Sequence, residues 1–459
     1  MKRVSLAILG LCAAAFAADN LASWAKYKNI TVNTKASGAN VATAVTKFPV
    51  LVRLDSASAA DVFTQAKAGG ADLRFANLAG VQTSYQIESW DAVAKKAAIW
   101  VLADTLKGND SSAVLRMYWG NSAASAVSNG AAVFDTTNDW RVVYHMNGGT
   151  STSELDATVN GYTMSASDTV PEAVPGDTIG VVGRARMFKG DSTTLGGRQY
   201  FVANNTAAAA PLNIGSNNPY SISTWVYARA INPSTGSGNS VFNKGDQQYA
   251  VQIYGAYGAT GVKLWESATY TSTWRQAKSK APAVAGSWTH VTGTWTGGAN
   301  GTNGTGKLYL NGVLDSAWSL GIGNVVAQQA YNLFIGANPN GGGTNAATPG
   351  DKTALARLAG TIQRPRYWDG YIDDITLARG ARSDDYVKLT FETQKPGATA
   401  VKLGTTQSQS IVADTVKNVY YVMQGTGNTP RDTIVFQTGV AVNLNLNYTG
   451  GPVDSIKLT

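Results

Sequence analysis

The chain has 459 residues, of which 14% are charged, with 49 glycines, a net charge of +8 and a single cysteine. This length exceeds one compact core and indicates two or three domains. Sparse charge with abundant small polar residues argues against a helical cytosolic enzyme, and the scattered 37 basic residues argue against a nucleic-acid module.

In chain order, MKRVSLAILGLCAAAFA combines Lys2 and Arg3, an apolar run and Ala15-Phe16-Ala17. It reads as a Sec-type signal peptide over 1–17, cleaved before Ala18. A lipoprotein reading through Cys12 is poorer, because Leu11 precedes the cysteine where a small residue is wanted. Cleavage leaves no cysteine, hence no disulfide, thiol nucleophile or thiolate metal site. No other apolar run approaches the length of a membrane span, so the expected location is extracellular or at the cell surface.

Residues 18–136 form the first expected domain. KFPVLVRLD (47–55), ADLRFAN (71–77), TSYQIESWD (83–91), AAIWVLAD (97–104) and AVLRMYWGN (113–121) read as strands, with a short helix from Asp61. SAASAVSNGAA (122–132) reads as a linker. A second region, 137–394, opens with VVYHMNG and continues through strands SISTWVYAR, FNKGDQQYAVQIY and GVKLWES. The stretch WTHVTGTWTGGANGTNGTGKLYLNG (288–312) shows period-two alternation beside Gly-rich breaks, with Asn311-Gly312 suited to a two-residue hairpin turn. GYIDDITLARGARSDDYVKLTFE ends the region as a strand and a short helix N-capped by Ser383. NVYYVMQ, DTIVFQ and VAVNLNLNY make 395–459 a short β-rich tail or partial module.

FPVLVRLD, GGADLRF, YQIESWD and LRMYWGN resemble an uncharacterised bacterial domain of unknown function that commonly precedes LamG domains. The Trp-x-His-Val strand and the KLYLNG hairpin resemble the LamG/concanavalin A-like lectin/glucanase superfamily. The resemblances imply an all-β protein: a concanavalin A-like jelly-roll sandwich, an N-terminal β-sandwich-like domain and a β-rich C-terminal module. They also imply a structural Ca2+ held by the closing-strand acid Asp373 and an early loop around Gly190 and Asp191. Lys189 stands where relatives often carry an acid, and Asp374 is expected on the opposite face of the strand from Asp373.

Glucanases of that superfamily place two glutamates in a Glu-x-Asp-x-Glu array. The five glutamates here, Glu88, Glu154, Glu172, Glu266 and Glu392, form no such array, so no catalytic residues are assigned and an enzyme is not expected. His145 and His290 read as structural residues within strands; with no mature cysteine they leave little material for a triad or a zinc site. Trp225, Trp265, Trp288 and Trp295 read as core. Sugar rings need flat aromatic faces with amides or charged groups nearby. Tyr257 and Trp274, in loop-like contexts, with Tyr270 and Arg275 near Trp274 in ATYTSTWRQ, are the candidate carbohydrate contacts. The expected function is non-catalytic, calcium-assisted binding of a polysaccharide or glycoprotein at the cell surface. The alternatives are a structural or adhesive protein that binds other surface proteins, and a polysaccharide-degrading enzyme of unfamiliar mechanism.

Overall fold

The computed structural model describes residues 19–167, 171–190, 199–203, 210–214, 218–231, 239–244, 249–255, 263–270, 274–297, 304–320, 332–338, 367–409, 420–424 and 431–435. They are mostly antiparallel β-structure. The first domain packs two sheets face to face. One is ordered Val401–Leu403, Lys26–Val32, Ala113–Trp119, Arg74–Asn77 and Gln82–Thr83, with Gln407–Ser408 also paired to Lys26–Val32. The other has three strands, Val45–Leu54, Lys96–Leu106 and Tyr85–Asp91. Ile30, Val32, Phe75 and Met117 from the first meet Phe48, Val50, Val52 and Ile99 from the second. The expected helix forms over Ala60–Gln65.

The second domain is a sandwich of two eight-stranded sheets. Its front sheet runs Trp274–Pro282, Lys263–Tyr270, Tyr249–Gly255, Asn239–Lys244, Leu333–Ile335, Phe201–Ala203, Met164–Ala166 and Ser153–Glu154. Its back sheet runs Gly176–Ile179, Arg184–Phe188, Gly370–Arg379, Tyr220–Ala228, Trp288–Trp295, Gly304–Leu310 and Val313–Leu320, with Trp140–Tyr144 also paired to Gly370–Arg379. Alternate residues such as Ile222, Val226, Val251, Ile253, Leu308 and Ile372 fill the space between them, as packed antiparallel sheets require. Asn311 and Gly312 have φ of 50° and 74°, the left-handed pair of a type I′ turn.

The two domains share a seam. Val45–Leu54 and Lys96–Leu106 are apolar on both faces because both are covered. Leu51, Ala98 and Trp100 point away from the first core and pack with Phe134, near the end of the first region, and with Trp140, Val143 and Ala378 of the second domain. The helix Asp384–Gln394 wedges into the same seam, N-capped by Ser383, whose hydroxyl accepts from Tyr386 N. Tyr386 and Leu389 enter the first core, while Phe391 stacks on Trp225 of the back sheet.

Two expectations about boundaries change. The tail does not begin as a separate module: Val401–Leu403 and Gln407–Ser408 complete the first domain's sheet on Lys26–Val32. Only Tyr420–Gln424 and Arg431–Val435 form their own hairpin. Trp274 is not in a loop; it is the register partner of Tyr270 at the turn end of a hairpin.

Candidate functional site

Two places carry chemistry. The first lies in the seam, where two β-bulges re-aim acidic side chains. The pairing of Tyr85–Asp91 with Lys96–Leu106 slips between Ile87 and Ser89, leaving Glu88 as the extra residue. The pairing of Tyr220–Ala228 with Gly370–Arg379 slips between Ser223 and Trp225, and Asp374 there has φ of 45°. Ile372 and Ile375 both stay in the sandwich core, so Asp373 and Asp374 both leave it. A bulge inserts one residue and so breaks the two-residue alternation, which corrects the expectation that the two aspartates lie on opposite faces.

His145, just past the strand Trp140–Tyr144, meets these acids. Its Nδ1 is 2.8 Å from Asp374 Oδ1 and 3.4 Å from Glu88 Oε2; its Nε2 is 3.0 Å from Gln86 Oε1. The imidazole lies between Trp100 and Phe134, with ring centroids 5.8 and 5.5 Å away. Trp100 Nε1 donates to Glu88 Oε2 at 2.6 Å. Asp373 Oδ2 accepts from Val181 N and Val182 N at 2.7 and 2.9 Å. Arg53 reaches in from the first domain and donates to the carbonyls of Val181, Thr393 and Gln394.

Enclosure governs the electrostatics. Burial pushes His145 down to about 4, so it is neutral at neutral pH. Burial, then the neighbouring aspartates, push Glu88 well above the usual carboxylate range; burial, then Asp374, does so for Asp373, and burial raises Asp374. Glu88 Oε1, Asp373 Oδ1 and Asp374 Oδ2 are enclosed without a hydrogen-bond partner. A cavity of about 50 Å3 borders His145 and Asp374 beneath the terminal helix.

Of the expected calcium set, Gly190 and Asp373 lie apart. Register pairs Phe188 with Gly370, so Gly190 lies beside Asp369, past the start of the strand that carries Asp373. The loop that reaches Asp373 is instead Gly180–Val182. Asp191 is outside the described residues.

The second place is the outer face of the front sheet. Register aligns Val202, Phe334, Asn243, Ala250, Ala268 and Gln276 in one row across six strands. Tyr200 and Tyr367 border it, their rings 6.3 Å apart and nearly parallel. Asn243 Nδ2 donates to Ala337 O at 2.6 Å, and its Oδ1 has no partner. Neither amide atom of the buried Asn338 has one. Burial pushes the neighbouring Lys244 down to about 7.

Of the candidate sugar contacts, Tyr270 and Trp274 pair with each other, two residues along their strands from the Ala268–Gln276 pair. Arg275 pairs with Thr269 and alternates with Ala277, a core residue. Tyr257 is outside the described residues. His290 is structural: it packs 4.8 Å from Trp225, with Nε2 2.8 Å from Ser223 Oγ. Trp295 lies in the sandwich core. Trp225 is buried beneath the terminal helix instead, with Nε1 donating to Gln394, and Trp288 is half-buried.

Sequence reasoning missed the Glu88–His145–Asp374 grouping because its members are far apart in the chain and meet across a domain boundary. Asn243 lay within a run read as a strand, and nothing in the sequence singled out Asn338.

Residues 69–148 match a domain of unknown function, DUF2341, and residues 195–351 match the concanavalin A-like lectin/glucanases superfamily. No curated protein matches the chain. Among solved structures, it is similar to domain 4 of AbnA, a GH43 extracellular arabinanase from Geobacillus stearothermophilus, in complex with arabinotriose. The identity is 15%, over 56% of this chain and 98% of that one, with a TM-score of 0.37. It is also similar to the botulinum neurotoxin serotype D ligand-binding domain in complex with N-acetylneuraminic acid, at 12% identity over 56% of this chain and 51% of that one, TM-score 0.34. A third is a heptameric SAP-like pentraxin from Limulus polyphemus, at 15% identity over 38% and 70%, TM-score 0.26. By sequence match, then, the chain carries a DUF2341 domain over residues 69–148 followed by a domain of the concanavalin A-like lectin/glucanase superfamily over residues 195–351.

Proposed function

We propose that this is an exported protein that binds a polysaccharide or glycoprotein through the outer face of the front sheet, without cleaving it. The observation that carries this reading is the pair of buried amides with unpartnered atoms, Asn243 and Asn338, beside the stacked Tyr200 and Tyr367. Amides satisfy sugar hydroxyls and aromatic faces take the C–H side of the ring. Buried polar atoms with no partner are costly, and a ligand hydroxyl removes that cost. Export is supported by the basic-apolar leader ending at Ala17, and the non-catalytic reading by the missing paired-glutamate array.

A glycan array on the purified mature chain tests this. Binding to at least one polysaccharide is expected, weakened about tenfold by Asn338→Ala and tenfold or more by Trp274→Ala. Signal on no glycan, or equal affinity in both variants, would remove the proposed face. Appearance of new reducing ends would instead show cleavage. The competing adhesive reading draws on Val313, Leu314 and Trp318, which are exposed on the edge strand Val313–Leu320, Trp318 by 53%. Exposed apolar groups on an open edge suit protein docking. Cell or protein adhesion without any glycan signal would favour that reading.

A further inference from the structure

The seam cluster serves no part of the sugar-binding reading. Glu88 comes from the first domain; His145 and Asp374 come from the second. One donor atom from each lies within 4.8 Å of the others. Three features point to a ligand.

The first is the orientation of the ring. Gln86 Oε1 accepts from His145 Nε2–H at 3.0 Å, which leaves the Nδ1 lone pair facing Asp374 Oδ1 and Glu88 Oε2. Three acceptors aimed at one another repel unless a proton or a cation lies between them. Metal-bound histidines are commonly held this way, the distal N–H fixed by a protein acceptor. The second is the set of enclosed oxygens without partners, Glu88 Oε1 and Asp374 Oδ2; the Glu88 side chain has no solvent exposure and that of Asp374 has 4%. The third is charge. Glu88, Asp373 and Asp374 crowd around the nearby Arg53, whose guanidinium donates to the backbone carbonyls of Val181, Thr393 and Gln394.

We propose that Glu88, His145 and Asp374 bind one divalent cation, of the Zn2+ class, that staples the two domains together. One nitrogen and few oxygens suit Zn2+ better than Ca2+, which takes six to eight oxygens. Tetrahedral bonds of about 2.0–2.1 Å set donor atoms roughly 3.4 Å apart. The Nδ1–Glu88 separation of 3.4 Å already matches, and the Asp374 oxygen at 2.8 Å needs only a small outward shift. The adjoining cavity of about 50 Å3 has room for a water as fourth ligand. The sequence concealed this site because it looks for zinc ligands at close spacing, whereas these three come from segments joined only by folding.

The test uses the full mature chain, expressed in zinc-supplemented medium because the donors are enclosed, then dialysed against metal-free buffer. Elemental analysis should find about one zinc per chain. Stripping with a chelator should lower the melting temperature by roughly 5 °C, with zinc restoring it. Zinc K-edge absorption of the wild-type chain should show one nitrogen and otherwise oxygen donors, a readout that survives if a variant fails to fold. Glu88→Gln and Asp374→Asn should each retain less than a tenth of the metal. Metal-free wild-type protein, zinc retained equally by both variants, or uptake of calcium alone would overturn the proposal.

Discussion

Lys244 shows how strongly a single enclosed group can act. Its ammonium is pushed from an ordinary 10.5 to about 7 by burial in the front sheet. Because the folded value lies below the unfolded one, the charged form penalises folding. That penalty is complete below about pH 7, declines as pH rises towards 10.5, and is absent above it. Lys244→Met should therefore stabilise the protein at pH 6 by on the order of 2–4 kcal/mol. The advantage should shrink at pH 9. Urea denaturation at the two pH values measures both, and an advantage independent of pH would contradict the mechanism. Asp374 presents the complementary case. Its positive φ is a conformation that Asp tolerates better than most residues, and it costs about 1 kcal/mol to hold. The neighbouring structure imposes that backbone so that the carboxylate reaches His145 and not the solvent.

At the scale of elements, the hairpin turn and the terminal helix depend on each other. Gly312 has φ of 74°, and a Cβ there would meet Phe391 of the helix at 2.7 Å. Gly312→Ala adds a left-handed alanine and a clash to the same position. A loss of about 2–3 kcal/mol is expected by chemical denaturation, whereas replacing the exposed Asn311 with glycine should cost much less. The helix itself was legible from Ser383 and the acids after it, since its cap is local chemistry. The strands were legible for the same reason: KLYL and SISTWVY carry alternation and FPVLVRL a continuous apolar run, patterns local to the chain. What alternation could not convey was its own interruption. The slips at Glu88 and at Asp373–Asp374 depend on the partner strand, and they reversed the inferred placement of the closing-strand acids.

Across the whole molecule, the two domains are joined by a buried face. Trp100 is the centre of that join: it packs on Phe134 and His145, and its indole donates to Glu88. Trp100→Ala should destabilise the chain by about 3–5 kcal/mol. Scanning calorimetry should show one transition in the wild type resolved into two in the variant, because the lost contact is the one that couples the domains. A single transition lowered in temperature would instead place the coupling in the terminal helix and in the strands Val401–Leu403 and Gln407–Ser408, which return to the first domain.

The amino-acid sequence alone determined the β-rich composition, most strand positions, the Asn311-Gly312 turn, the Ser383 cap and the two family resemblances, because each rests on residues adjacent or regularly spaced in the chain. Only the tertiary structure decided which acids meet His145, that Gly190 stays away from Asp373, and which amides on the front sheet lack partners. Those facts depend on register, on bulges and on a boundary between two domains. Each is set by distances across strands, and no local pattern of side chains encodes such distances.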